Sequence, residues 1–369
     1  MRDSTDVFVI GGGPAGLAAA IAARQQGFRV VVADSAKPPI DKACGEALMP
    51  DAVAALEKLG VSVSAGESCP MRGVRFLSKG MEAAAEFPPD FRAFSVRRIV
   101  LHRALIERAE NMGVDLLWQS VVKGITGEAV ELGEGAIGAR WIVGADGFSS
   151  RVRRWAQLES RKAAGARYSF RRHYRVAPWT DCMEIYWGKK SQGFVTGVNS
   201  EEVCVAVASR NPALRLEESL RDLPELGARL RGAEMSSTER GARSANRTLK
   251  RVWRGKVALI GDASGTVDAI TGEGLGLSFN QAIVLAESLK SGNLAVYQKA
   301  HQSLMLRPFW MARLMLTLEG RPWFQRHVLH AFGKRPEIFR KVLALHVGAL
   351  SPMDLARDGL TLGWGLLSA

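Results

Sequence analysis

Apolar residues in the first part of the chain fall in short continuous runs broken by turn residues, the pattern of strands buried on both faces. Residues 6–10 form such a run, and the alanine-rich stretch 17–26 predicts the helix that follows it. Residues 29–33 predict a second strand. Lys37-Pro38-Pro39 marks a loop, and residues 51–59 predict a helix capped by Asp51. Residues 73–77 and 83–87 predict two strands, closed by Phe87-Pro88-Pro89. Leu101, Leu105, Ile106 and Ala109 share one face of a helix that runs from about Val96 to Met112 and stops at Gly113. Strands are expected again at 114–118 and 141–145.

The pattern changes after Arg154. Residues 168–176, 182–187, 193–198 and 203–208 predict strands joined by turns, a mainly antiparallel sheet suited to carry a substrate. Residues 214–231 predict a helix. Residues 256–263 return to the buried-strand style, and a long helix opens in 270–276 and runs to about Lys290. From Leu294 the chain predicts helices rich in Arg, Trp, Leu and Met.

Between the first strand and its helix stands Gly11-Gly12-Gly13-Pro14-Ala15-Gly16, a full G-x-G-x-x-G. In that motif Gly11 makes the tight turn, Gly13 lets the backbone approach a pyrophosphate, and Gly16 lets helix and strand pack closely. The helix N-terminus offers free N–H groups and partial positive charge to a phosphate. Pro14 suits the first helical turn, where its missing N–H costs nothing. Asp34 ends the second strand, roughly 20 residues on, where a ribose hydroxyl needs an acceptor.

The 369 residues allow two domains, and 47% hydrophobic content without low-complexity tracts is that of an ordinary globular chain. The net charge of +13 favours anionic partners. No stretch resembles a nucleic-acid module, so nucleic acid is not expected. Cys44, Cys69, Cys182 and Cys204 are scattered, and the six histidines lack ligand spacing, so no metal or disulfide framework is expected. Residues 7–23 are nearly all apolar, but the glycines, Pro14, Asp3 and Asp6 argue against a signal peptide or membrane span. A cytoplasmic protein is expected.

Three motifs, Gly11 to Gly16, Asp146-Gly147 with its basic tail, and Gly261-Asp262 with Gly272-Glu273-Gly274, resemble those of FAD-dependent oxidoreductases of the p-hydroxybenzoate hydroxylase fold. Ala43-Cys44-Gly45-Glu46-Ala47-Leu48-Met49-Pro50 and Thr271-Gly272-Glu273-Gly274-Leu275 are similar to the geranylgeranyl reductase superfamily within that group. The resemblance covers roughly residues 6–300. It implies an α/β fold: a Rossmann-type FAD-binding domain of the glutathione reductase-like and p-hydroxybenzoate hydroxylase-like kind, an inserted, mainly antiparallel β substrate domain, and a helical C-terminus. The expected boundaries are 1–75, 97–160 and 250–300 for the discontinuous FAD domain, 76–96 and 161–249 for the substrate domain, and 301–369 for the C-terminal segment.

Carried over by resemblance, the FAD ligands are Gly11, Gly13, Pro14, Ala15 and Gly16, with Asp34 at the adenosine ribose where many relatives have Glu. Arg98 reaches FAD from the second helix, with Arg97 as the register alternative. Asp146 and Gly147 belong to a motif associated with FAD and NAD(P)H handling. Gly261 and Asp262 hold the ribityl chain, while Gly272, Glu273, Gly274 and Leu275 present N–H groups to the flavin. A helix N-terminus there stabilises the negative charge of reduced flavin. Cys44 and Gly45 face the flavin in the reductase family; a free cysteine is equally at home as a small buried hydrophobe.

Two departures stand out. Ala269 occupies a position where relatives usually have Pro. The Tyr-x-Trp-x-Phe-Pro motif of isoprenoid reductases is missing, with only Glu184-Ile185-Tyr186-Trp187-Gly188 and Gly193-Phe194-Val195-Thr196-Gly197 in its region. The Trp-x-Trp-x-Ile-Pro stretch of flavin halogenases is also absent.

No catalytic residue is assigned; Cys44, Tyr186 and Trp187 are the candidates. Strand alternation turns one of Tyr186 and Trp187 inward regardless of function. His173, among Arg171, Arg172 and Arg175, is expected at the surface rather than as an acid or base. Arg151, Arg153 and Arg154 either steer NADPH phosphates or begin a solvated helix. Phe309-Trp310, Trp323-Phe324, Arg326, Lys334-Arg335 and Arg340-Lys341 fit a terminal helical cap, with peripheral membrane contact as the alternative.

The expected function is an FAD-dependent oxidoreductase with non-covalent FAD and NADPH or NADH as reductant. Hydroxylation of a lipophilic aromatic, polyketide-like or isoprenoid molecule with O2 is the first expectation. Reduction of an isoprenoid double bond is the second, and a non-catalytic prenyl-binding protein of the same fold, as in Rab GDP-dissociation inhibitors, the third.

Overall fold

The computed structural model describes residues 4–351 apart from 134, 160–163 and 320; the end of the expected C-terminal segment, 352–369, lies outside the described residues. The first strand, Ser4–Ile10, is central to a sheet of eight strands. It pairs in parallel with Gly135–Gly144 on one side and Val30–Ala33 on the other, and Asp115–Leu117 and Val257–Leu259 extend the parallel core. Val7, Phe8 and Val9 are fully buried because helices cover this sheet. Pro14–Gln25 packs against both Arg98–Asn111 and Gly274–Ser291. A hairpin, Gly124–Thr126 with Ala129–Leu132, joins the edge of Gly135–Gly144. It was not expected from the sequence.

A second eight-stranded sheet holds the predicted antiparallel run as Ala164–Arg175, Cys182–Trp187, Gln192–Gly197 and Glu202–Ser209. The hairpin Gly73–Ser78 and Met81–Glu86 joins it through a parallel pairing with Cys182–Trp187. Arg240–Asn246, another unanticipated strand, pairs with Ala164–Arg175. A small third sheet, formed by Ala47–Leu48, Ser68–Met71 and Ala93–Val96, bridges the two large ones.

Both faces of the second sheet are covered. Pro322–Lys334 and Pro336–His346 pack on Met81–Glu86, where Phe332, Phe339, Phe76 and Trp187 form one apolar cluster. Leu216–Asp222 and Pro224–Arg229 contribute to a second cluster, around Tyr186, on the opposite face. The single helix expected across 214–231 is thus two. Pro224 lacks an N–H and restricts Leu223, so the helix breaks there.

The helix expected at 51–59 begins at Pro50, and its N-cap is Met49, without a side-chain cap. Asp51 is therefore not the cap; its carboxylate lies in the first turn and turns toward Arg307, 3.7 Å away. Among the described residues, no helix is long and apolar enough to cross a membrane.

Candidate active site

A cavity of about 340 Å³ opens where the parallel sheet meets the second sheet. Gly13, Pro14 and Ala15 line one end, and Gly272, Gly274 and Leu275 line another part of the same wall. Each group sits at a helix start. Neither the Pro14–Gln25 nor the Gly274–Ser291 helix has a side-chain cap or an acidic residue in its first turn. Two uncapped helix N-termini therefore border one cavity, an arrangement that favours an anion.

The glycines of the fingerprint divide by function. A Cβ on Gly16 would stand 1.8 Å from the Gly11 carbonyl oxygen, and one on Gly11, at φ +113, would stand 2.5 Å from the Ala145 oxygen. Those two glycines serve packing within the protein. A Cβ on Gly13, Gly45, Gly147, Gly272 or Gly274 would meet nothing within 4 Å. All five line the cavity; Gly147 and Gly272 already need glycine for their φ of +78 and +68, so the three whose bareness points to a ligand are Gly13, Gly45 and Gly274.

The residues present fit FAD on this ground, and on a second. The Nε of Arg98 is buried without a partner, and Arg98 lines the cavity. Arg97 turns the other way, toward Glu202 at 3.4 Å. Asp262 lines the same wall, with Arg98 and Lys42 supplying positive charge near its carboxylate. Asp34 lies beside Gly12 and accepts from the Gly12 N–H at 2.7 Å and the Ala36 N–H at 2.8 Å. Gly261, at φ +55, donates its N–H to Gln281 Oε1 at 2.8 Å.

Several side chains take roles the sequence did not suggest. Asp146 accepts from the Arg151 and Val152 N–H groups at 2.6 and 3.1 Å, so it holds the first turn of the Arg151–Trp155 helix, whose N-cap is Ser150. Arg153 neither begins a solvated helix nor faces outward. It is buried and donates to the Ala263 and Phe148 carbonyls, both at 3.0 Å, tying the 146–148 turn to the 261–263 turn. His102 is buried; its Nδ1 accepts from the Ile40 N–H, so Nε2–H donates to the Gly12 carbonyl at 2.8 Å. It braces the fingerprint from the Arg98–Asn111 helix, and its position one turn after Arg98 was the only available signal.

Glu273 does not face the cavity with its neighbours. Both its carboxylate oxygens are buried without hydrogen-bond partners, 3.6 Å from Arg307 and 3.8 Å from His346. Burial, then the neighbouring Asp51, pushes its carboxyl up to about 8. Burial, then Arg307, pushes the His346 imidazole down to about 4.

Tyr186 and Trp187 are corrected as catalytic candidates. Tyr186 is buried in the cluster on one face of the sheet and donates to Glu184 Oε2 at 2.6 Å; Trp187 is buried in the cluster on the other. Alternation places them on opposite faces, and both faces are covered. Cys44 does line the cavity, and its sulfur accepts from the Glu46 N–H at 3.3 Å.

The expectation of a surface His173 is also overturned. It is fully buried, because Arg171 and His173 share the inward face of their strand while Arg172 pairs with Glu217 on the other. His173 Nε2 stands 2.7 Å from Oε2 of Glu46, which is itself buried and lines the cavity. Glu46 Oε1 accepts from the Arg98 N–H at 2.9 Å, and Arg171 lies 3.9 Å from it. Glu46 holds φ +61, a strained value for a residue with a side chain. Cys204 brings its sulfur to the same place, so Glu, His and Cys atoms lie within 4.8 Å of one another. Arg171 and Arg97 nitrogens stand 3.3 and 3.4 Å from the His173 ring, supplying positive charge there already.

Comparison with known proteins follows the same lines. The profile of a family described as FAD binding domain matches residues 4–307. A menaquinone reductase of Mycobacterium tuberculosis (strain ATCC 25618 / H37Rv) is 31% identical over 323 residues, covering 79% of this chain and 78% of that protein. Digeranylgeranylglycerophospholipid reductase 1 of Methanopyrus kandleri is 28% identical, covering 73% and 76%. A flavoprotein/dehydrogenase structure from Cytophaga hutchinsonii superposes with a TM-score of 0.80 at 21% identity, covering 93% of each chain.

Proposed function

The chain belongs to the FAD binding domain family, and within it we propose a flavoenzyme that uses NADH or NADPH to reduce a carbon–carbon double bond of a lipophilic, isoprenoid-bearing molecule. The observation that carries this reading is the wall Cys44-Gly45-Glu46, which shares one cavity with Gly272, Gly274 and Leu275. The reductase relatives support the choice of reduction over hydroxylation.

FAD, once reduced, supplies the hydride. The chain's own contribution is positional. Gly13 to Ala15 would hold the pyrophosphate at a helix N-terminus, Arg98 and Asp262 would bind the cofactor between its two ends, and Gly272, Gly274 and Leu275 would hold the ring. Met183, Phe194 and Ala206 give the second-sheet wall an apolar surface for the substrate and exclude water.

The missing Tyr-x-Trp-x-Phe-Pro motif favours hydroxylation with O2 as a second reading. Anaerobic reduction of the purified protein by NADPH, followed by air and then by a prenylated quinone, separates the two. Reduced flavin that persists in air and is oxidised by the quinone with loss of a side-chain double bond is the expected result. Substrate-stimulated O2 uptake with a hydroxylated product overturns reduction. A colourless protein that takes up no FAD overturns both and returns the prenyl-binding alternative.

We also propose peripheral contact with an anionic membrane. Leu306, Trp310 and Leu314 are exposed at spacings of four along the Leu294–Leu318 helix, and Trp323 is 71% exposed beyond it. Exposed Arg313, Arg321 and Arg326 supply complementary charge. Sedimentation with vesicles containing phosphatidylglycerol, and its loss in W310S/W323S, is the expected result. Equal binding by that variant overturns it.

A further inference from the structure

The environment of His173 fixes its proton. The Ser237 hydroxyl oxygen accepts the His173 backbone N–H at 3.0 Å, so its own hydrogen is free to donate to Nδ1 at 2.8 Å. The other groups against Nδ1 are guanidinium nitrogens of Arg171 and Arg97, which only donate. Nδ1 therefore carries the lone pair, and Nε2–H donates to Glu46 Oε2 at 2.7 Å. Ser237 is half-buried, in the segment between the strands Glu234–Met235 and Arg240–Asn246, while His173 is fully buried and Glu46 lines the cavity. A continuous hydrogen-bonded chain thus runs from the outer edge of the second sheet to the cavity wall.

We propose that Ser237, His173 and Glu46 form a proton relay that delivers to the cavity the proton required by double-bond reduction. This rests on the reductase reading above. Saturating a double bond adds one hydride and one proton. The hydride comes from the nicotinamide donor by way of FAD. For the proton, Nδ1 takes the Ser237 hydroxyl hydrogen while Nε2 passes its own to Glu46. The Glu46 carboxyl then gives that proton to a substrate carbon, forming a C–H bond. Water reprotonates Ser237, so each turnover draws one proton from solvent, and the ring regains its starting tautomer between turnovers by losing the Nδ1 proton to water and taking one at Nε2 from water. Glu46 is the catalytic residue; His173 and Ser237 act through it.

A structural pin between the two sheets would use the same hydrogen bonds, so the test needs a readout that a pin does not move. The first is 15N NMR of histidine-labelled, FAD-loaded protein. A neutral His173 with Nε2 protonated supports the relay; a ring protonated at Nδ1 with Nε2 bare overturns it, whatever the substrate proves to be. The second is reduction of geranylgeraniol in detergent micelles with NADPH in H2O and D2O. Wild type incorporates one solvent deuteron per bond reduced, with a solvent isotope effect. Glu46→Gln is expected to slow this step about 100-fold or more, the usual contribution of a general acid. Ser237→Ala, at the half-buried end, keeps the fold testable and slows it with a changed isotope effect. Wild-type rates and isotope effects in both variants overturn the proposal. A protein that binds no FAD or reduces no isoprenoid refutes the reductase reading instead, and the NMR result then judges the relay's geometry by itself.

Discussion

The two walls of the cavity are built on opposite plans. On the nucleotide side the wall rests on backbone: Gly13, Gly272 and Gly274 stand bare at helix starts beside Arg98 and Asp262, and Arg153, His102 and Gln281 hold the turns. On the second-sheet side the wall is side chain: Glu46, Arg171 and Met183 project into the cavity lining. The difference teaches where chemistry can be specific. Peptide N–H groups recognise charge and shape and are the same in any sequence. A carboxylate held by an imidazole can move a proton.

The carboxylates show the contrast again. Glu46 has a partner on each oxygen, whereas Glu273, behind the glycine wall, has none at hydrogen-bond distance. The first is held in place by donors on both sides. The second is a buried group whose ionisation the fold opposes.

The largest effect that would break the comparison is at Gly16. A Cβ there meets a backbone oxygen at 1.8 Å that cannot retreat, so Gly16→Ala is expected to give no folded, FAD-containing protein in purification. Next is Glu46→Ala, which leaves His173 Nε2–H and the Arg98 N–H without their acceptor, while Arg171 keeps Asp41. A loss of about 1–3 kcal/mol for each orphaned donor is expected in chemical denaturation. Gly13→Ala then sharpens the glycine wall. The new Cβ meets nothing in the protein within 4 Å, so the apo-protein keeps its Tm. FAD must yield instead, and overpacking of about 1–3 kcal/mol weakens its binding roughly 10- to 100-fold by titration.

Glu273 gives a smaller, pH-dependent effect. Its folded carboxyl is raised from 4.5 to about 8, so the folded state holds a proton that the unfolded state has lost, and stability falls as pH rises through that window. His346, lowered from 6.5 to about 4, acts oppositely below 6.5, where stability is lost as pH falls. Of these two groups, only Glu273 acts between pH 6.5 and 8. Unfolding free energy of the apo-protein is expected to fall there by up to about 1.4 kcal/mol per pH unit, and Glu273→Gln to flatten the slope. The smallest effect is Tyr186→Phe. It removes one hydrogen bond to Glu184, which keeps Arg75 and Trp179, so about 1 kcal/mol of stability is lost and FAD binding is unchanged.

The sequence by itself determined the parallel sheet, its glycine fingerprint and the family. Those features depend on neighbours along the chain: runs of Val and Ile, glycines at fixed offsets, a helix after a strand. It also determined most strands of the second sheet. It misplaced Asp51, Tyr186, Trp187, Arg153 and His173, for one reason. Which face of an element is buried depends on what packs against it, and those partners lie far away in the chain. Arg171 and His173 look like part of a solvated basic run until Glu46, 127 positions before His173, is folded onto them. Tyr186 and Trp187 become core only because helices from 216–229 and 322–346 cover both faces of their sheet. Tertiary structure alone decided the side-chain wall, since a buried charge takes its place from its partners in space.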